Sequence, residues 1–188
     1  MARIDLGAKP YTYPQPVFII AAYDEEGVPC AMNAAWCGVS DDFELGLCLS
    51  PFHKTVKNIL KTGAFTVSMA DAKHVKECDY FGIATGNEVK NKIEKAGMTV
   101  TKSEKVNAPI INELPICVEC RLKSYDETNC NMRGEIVNVS VDENVFTGGK
   151  VDIRKVQPIT FDPFNNTYHI IGEKVGEAWG SGKELENR

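Results

Sequence analysis

The sequence predicts a mainly β, α+β protein: an antiparallel barrel with short helices at its periphery. Three observations carry that prediction. Apolar runs of strand length outnumber helical stretches. The helical stretches are inserted between strands without regular alternation, which argues against a doubly wound parallel sheet. The chain has 188 residues, 43% of them hydrophobic, enough for one sizeable core, so a single domain over 1–188 is expected.

The elements follow in order. Residues 17–23 form a continuous apolar run, read as a buried strand, which enters a turn at Asp24-Glu25-Glu26-Gly27. Residues 28–33 return as its hairpin partner, and 43–49 alternate as a third strand. A helix is expected next, with Ser50 as N-cap, Pro51 at the first helical position, and Phe52, Val56, Ile59 and Leu60 at helical spacing. Gly63 suits its C-cap. Residues 64–69 form another strand. Two short helices are expected near 72–81 and 87–96, the second with Val89, Ile93 and Ala96 on one face. Residues 116–125 and 132–141 are long β-rich stretches, and 168–171 a shorter one. Gly148-Gly149 and Asn165-Asn166 mark turns. Residues 181–188 are polar and expected to fray.

Charge and cysteine usage narrow the function classes. Lys and Arg total 21 against 26 Asp and Glu, a net charge of −5, with no long basic run. Nucleic acid and anionic membranes are therefore not expected as partners. No apolar run reaches membrane-spanning length and no signal peptide is evident, so a cytoplasmic location is expected. Seven cysteines form an odd, scattered set, which points to reduced thiols.

The start of the helix after Ser50 is unusual in its charge. Helix N-termini favour acidic side chains, because the first N–H groups are unpaired and the dipole is positive there. This one carries His53, Lys54 and Lys57, and residues 45–60 contain no Asp or Glu. Basic residues there make electrostatic sense if a phosphate sits at the helix end; a surface helix with solvated lysines is the alternative. Upstream, Ala31-Met32-Asn33-Ala34-Ala35-Trp36 is rich in small side chains. Such residues let a flat ligand approach the backbone, Asn33 offers a donor and an acceptor, and Trp36 could cover an aromatic ring. Core packing is the competing reading of that segment. Taken with the helix start, it outlines a two-part site for a planar group and a phosphate.

These segments, with Pro14-Gln15-Pro16-Val17, Thr62-Gly63-Ala64-Phe65, Asp79-Tyr80-Phe81-Gly82, Ala108-Pro109-Ile110-Ile111, Glu119-Cys120, Gly134-Glu135-Ile136, Gly172 and Gly176, carry a resemblance. The chain resembles the flavin reductase-like, FMN-binding split-barrel family, and most closely its flavoredoxin branch. The resemblance implies a six-stranded antiparallel split barrel and a homodimer holding non-covalent FMN near the subunit interface. It implies that Asn33, Ala34, Ala35 and Trp36 line the isoalloxazine, that Leu49 and Ser50 approach the ribityl chain, and that His53, Lys54 and Thr55 hold the phosphate. It also implies a lysine from the second short helix, assigned to Lys92 with Lys90 as the alternative, and a late loop around Phe164 closing over the flavin, from the same or a second subunit. Relatives often carry a histidine a few residues before the Gly-Glu pair; Asn129 stands there, which can hydrogen-bond a ligand but cannot gain a proton near neutral pH.

Two activities follow from the resemblance: an NAD(P)H-dependent flavin reductase, or an FMN-bearing electron carrier working between redox partner proteins. A flavin-binding protein without turnover ranks below both. The flavin carries the chemistry, so no catalytic side chain is assigned. The Cys117-Val118-Glu119-Cys120 spacing lies in a strand, where alternation separates the thiols. With three scattered histidines and no second such pair, no metal site is expected. Cys48, beside the phosphate turn, is either a small strand residue or a thiol near the flavin.

Overall fold

In a computed structural model, which describes residues 2–186, the long strands assemble as expected but with one more member. After a short β1 (Gln15–Pro16), β2 (Phe18–Tyr23) and β3 (Pro29–Ala34) form the first hairpin, with Phe18 opposite Ala34 and Tyr23 opposite Pro29. Two residues, Ala35 and Trp36, lead into β4 (Cys37–Asp41), which turns back into β5 (Glu44–Cys48). Helix α1 (Lys54–Thr62), strand β6 (Ala64–Met69) and helices α2 (Val75–Ile83) and α3 (Lys92–Lys95) follow. A small hairpin of β7 (Val100–Lys102) and β8 (Pro109–Ile111) precedes the two longest strands, β9 (Ile116–Asp126) and β10 (Asn131–Val141). The chain closes with β11 (Phe146–Thr147), β12 (Lys150–Val151), α4 (Ile153–Val156), β13 (Ile159–Asp162) and β14 (Thr167–Ile170).

The main sheet has seven strands in the order β3-β2-β6-β9-β10-β5-β4, every pair antiparallel. Its two edges, β3 and β4, are consecutive in the chain and joined by two residues. Such a connection requires the sheet to curl until its edges nearly meet, which makes it a split barrel. The six-strand expectation falls short by β4, because Cys37-Gly38-Val39-Ser40-Asp41 is mostly exposed and lacks the apolar alternation that marks a strand in sequence.

The sheet is buried on both faces. Along β2, Ile20 and Ala22 enter one core with Met32, Leu47, Phe65, Val67 and Met132. Their neighbours Ile19 and Ala21 enter a second with Cys78, Phe81, Ile93 and Ile111. Two-sided burial explains the unbroken apolar run, since alternate residues face opposite layers. Helix α1 plugs the first core with Val56 and Ile59. Gly134 permits the close approach of β10 and β6: a Cβ there would stand 2.4 Å from Cζ of Phe65.

Several local expectations are corrected. Helix α1 begins at Lys54, not Pro51; its N-cap is His53, while Ser50 Oγ instead accepts from the Phe52 N–H in the preceding turn at 3.4 Å. Phe52 is consequently exposed rather than on the buried stripe. Gly63, at φ 71°, ends the helix as expected. The helix expected over 87–96 shrinks to α3, because 85–91 run as turns that place Asn87 against the start of α1. Strand β13 was not anticipated; it pairs with β14 and with β1. At the C-terminus, Lys183–Leu185 form a 3-10 turn where fraying was expected, and residues 187–188 lie outside the described residues. Among the described residues no helix is long and apolar enough to cross a membrane.

Candidate functional site

Two clefts meet at the start of α1. The first, about 440 Å³, is walled by Asn33, Ala34, Ala35 and Trp36, by Cys48, Leu49 and Ser50, and by Cys130, Phe161 and Tyr168. The second, about 260 Å³, is walled by Lys54, Thr55, Lys92 and the segment 81–87. Met32, Asn33, His53 and Gly82 belong to both walls, so the two form one continuous groove.

The second cleft is cationic. No side chain caps α1, and its first turn contains no acidic residue, so the first helical N–H groups lack an intrahelical or capping partner. Lys92 is 2% exposed. Its Nζ donates to the carbonyls of Phe81 at 2.9 Å and Ala84 at 2.6 Å, and no carboxylate pairs with it among the described residues. Burial lowers its pKa from the ordinary lysine value. Burial, reinforced by the Lys92 charge, also lowers that of His53. A buried ammonium with a spare donor and no anion is costly unless something negative completes it. Lys54 lines the same cleft, half-exposed, 3.7 Å from Asp24. Thr55 is buried, with Oγ1 3.5 Å from Sγ of Cys30. Gly86 belongs to the wall because a Cβ there would lie 2.4 Å from Cys30 Sγ and 3.1 Å from Lys54 Cβ. Lys90 lines a neighbouring hollow beside Asp24, Glu25 and Glu26, which adjoins the second cleft at Lys54, Gly86 and Asn87. Lys92 lines the second cleft itself, and Lys90 does not.

The first cleft is flatter and less polar. Trp36 is exposed on its rim, and the small side chains of Ala34 and Ala35 leave the strand backbone accessible. Asn33 is fixed by its neighbour: Nδ2 donates to the Cys78 carbonyl at 3.1 Å. One Asn33 N–H is thus engaged by a protein acceptor, which leaves the second N–H and Oδ1 for other partners. Tyr168 donates to Asp79 Oδ1 at 2.8 Å, and burial first, then that carboxylate, push its pKa up to about 12.

Two expected residues stand away from the groove. Asn129 is exposed on the β9–β10 turn, where Nδ2 donates to Asp126 Oδ2 at 2.7 Å; the neighbouring Cys130 lines the cleft in its place. Phe164, on the β13–β14 turn, packs on Tyr11 and Tyr13 with ring centroids 4.5 and 5.4 Å away. Sequence reasoning missed Phe161 and Tyr168. Their only signal was a short alternating stretch near the C-terminus, and nothing local says that β13 and β14 fold back over Asp79 and Asn33.

A curled seven-stranded sheet with a groove at the split defines a split-barrel protein, its groove cationic at one end and flat and less polar at the other. Residues 11–159 match the family model described as "Flavin reductase like domain", and the chain belongs to that family. Its structure is similar to that of flavoredoxin from Desulfovibrio vulgaris (Miyazaki F), with a TM-score of 0.92 and 34% identity over 96% of this chain and 100% of that one. A flavoredoxin from Methanosarcina acetivorans matches with a TM-score of 0.87 and 29% identity, over 98% and 100% of the two chains. An uncharacterized protein of Archaeoglobus fulgidus is 31% identical over 148 residues, 76% of this chain and 81% of its own length.

Proposed function

We propose that the protein is an FMN-binding oxidoreductase of the NAD(P)H-dependent flavin reductase type. The observation that carries this reading is Lys92, a buried ammonium without a carboxylate, facing the uncapped start of α1 at one end of a continuous groove. A terminal phosphate there would be met by Lys92, Lys54, His53, Thr55 and the free N–H groups. The ribityl chain would run past Leu49 and Ser50, and the isoalloxazine would lie against Ala34 and Ala35 with Trp36 at the rim. When bound, FMN supplies hydride and single-electron chemistry. The chain's own residues would bind and orient it: Asn33, held by the Cys78 carbonyl, offers its amide at the ring cleft, and Phe161 helps exclude water.

The likeness to the two flavoredoxins favours a second reading, an electron carrier that receives and delivers electrons through protein partners. Anaerobic mixing with NADH and NADPH separates the two. Bleaching of the yellow protein within seconds supports the reductase, whereas slow bleaching with both, but fast bleaching by a reduced ferredoxin-type protein, supports the carrier. Failure to take up any flavin removes both. FMN held through gel filtration is expected of the carrier, because a flavin-releasing reductase must let go.

The same reading includes a homodimer. Val39, Phe43 and Val139 are exposed around the β4–β5–β10 end of the sheet, where a second copy would shield apolar surface and close the split. Sedimentation of the full chain at micromolar concentration is the direct test, and a monomer at all concentrations would refute it.

A further inference from the structure

We propose that Cys48 and Cys130 form a redox-active dithiol on the wall of the ring cleft, exchanging two electrons with the flavin bound beside it; this rests on the FMN reading above. Both residues line the 440 Å³ cleft. Asn131 stands opposite Cys48 in the β5–β10 register, and the Leu49 N–H donates to the Cys130 carbonyl at 2.8 Å. The two cysteines are therefore diagonal neighbours. With strands about 4.8 Å apart and about 3.3 Å of rise per residue, their Cα atoms lie roughly 6 Å apart, inside the ~4.4–6.8 Å that a disulfide spans. Strict alternation would send the thiols to opposite faces. Cys130, however, has φ 55°, in the left-handed region at the turn, so the alternation stops before it. The Tyr125 phenol donates to the carbonyl of Leu49, the residue after Cys48, at 2.7 Å.

The other five cysteines are poor candidates. Cys30, Cys78, Cys117 and Cys120 are buried, and burial pushes the half-buried Cys37 up to about 12. Thiol exchange needs an accessible thiolate. Cys48 is exposed and Cys130 partly so. In the oxidising direction both S–H bonds break and one Sγ–Sγ bond forms. Two electrons and one proton pass to the oxidised ring, and the second proton goes to solvent. In reverse, the reduced ring opens the disulfide and regenerates two thiols. The protein would then hold a second two-electron store next to its cofactor.

The test has two arms. Full-length apoprotein treated with diamide should lose two of its seven native thiols, and peptide mapping should recover a Cys48–Cys130 link that is absent in Cys48→Ser and in Cys130→Ser but kept in Cys37→Ser. A bridge between other cysteines, or none, overturns the proposal without reference to FMN. In the second arm, the disulfide form loaded with FMN is photoreduced anaerobically, and thiols are counted as the flavin reoxidises. Two new thiols per flavin are expected in the wild type and none in Cys48→Ser. Bound FMN that reoxidises without producing thiols overturns this proposal and leaves the FMN reading standing; a chain that takes up no FMN overturns both.

Discussion

The two ends of the groove are built on opposite plans. At one end, charge is concentrated on adjacent residues: His53, Lys54 and Thr55 open α1, and the single outside contributor is Lys92. At the other end, little is charged. The wall is pieced together from β3, the end of β5, the β9–β10 turn and the β13–β14 hairpin. The other α-helices each have one ordinary feature at the start: Asp152 accepts from the Arg154 N–H at 3.0 Å to cap α4, while α2 and α3, which lack a side-chain cap, carry Glu77 and Glu94 in their first turns. The contrast teaches that the uncapped, acid-free start of α1 is a local choice of sequence. One end of the groove is cationic, and the other is flatter and less polar; on the proposed reading the first would select by charge and the second by shape.

That division can be broken by comparing FMN with riboflavin, which lacks the phosphate. The largest effect is expected from Lys92→Met. It removes a buried charge-assisted hydrogen bond worth about 3 kcal/mol, or about a hundredfold in FMN affinity, and leaves riboflavin affinity unchanged in fluorescence titrations. An equal loss for both ligands would place Lys92 away from the phosphate. Trp36→Ala should act the other way, weakening FMN and riboflavin alike by about tenfold, the scale of one lost aromatic stacking contact. Lys54→Met should cost FMN only about fivefold, because this lysine is half-exposed and already paired with Asp24; no change in FMN affinity would remove it from the site.

The smallest expected effect is a pH dependence. Burial and Lys92 hold the free His53 imidazole below its ordinary value of 6.5, so it is neutral at pH 8 and adds nothing there. A bound phosphate favours its protonated form, so binding takes up a proton as the pH falls. The wild type should therefore bind FMN about threefold better than His53→Gln at pH 6, the size of a weak ion pair, and equally well at pH 8. Parallel profiles for the two proteins would exclude the imidazole from the phosphate end.

The same contrast explains what could be read in advance. The charged end was legible because its signal is contiguous: a run of basic residues where a helix start should be acidic. Even so, the helix begins three residues later than the Ser50-Pro51 pair suggested, because the chain makes a tight turn there first. The barrel was legible from its apolar runs, while the exposed β4 had no pattern to betray it. The ring end was read only in part. Ala34, Ala35 and Trp36 share the wall of one cleft, while Phe161 and Tyr168 arrive there through a long-range fold-back that local periodicity cannot encode. At the β9–β10 turn the cleft is lined by Cys130 and not by its neighbour Asn129, because turn geometry decides which residue faces inward.

Lys92 does more than face the groove. Its ammonium is tied to the last turn of α2 and to the residue after it, through the carbonyls of Phe81 and Ala84. The end of α2, which walls the second cleft, is thereby moored to the lysine beside it by bonds internal to the chain. On the reading proposed above, that wall needs no ligand to hold it. Capture should then proceed without a slow rearrangement, and empty and loaded forms should superimpose around 81–87.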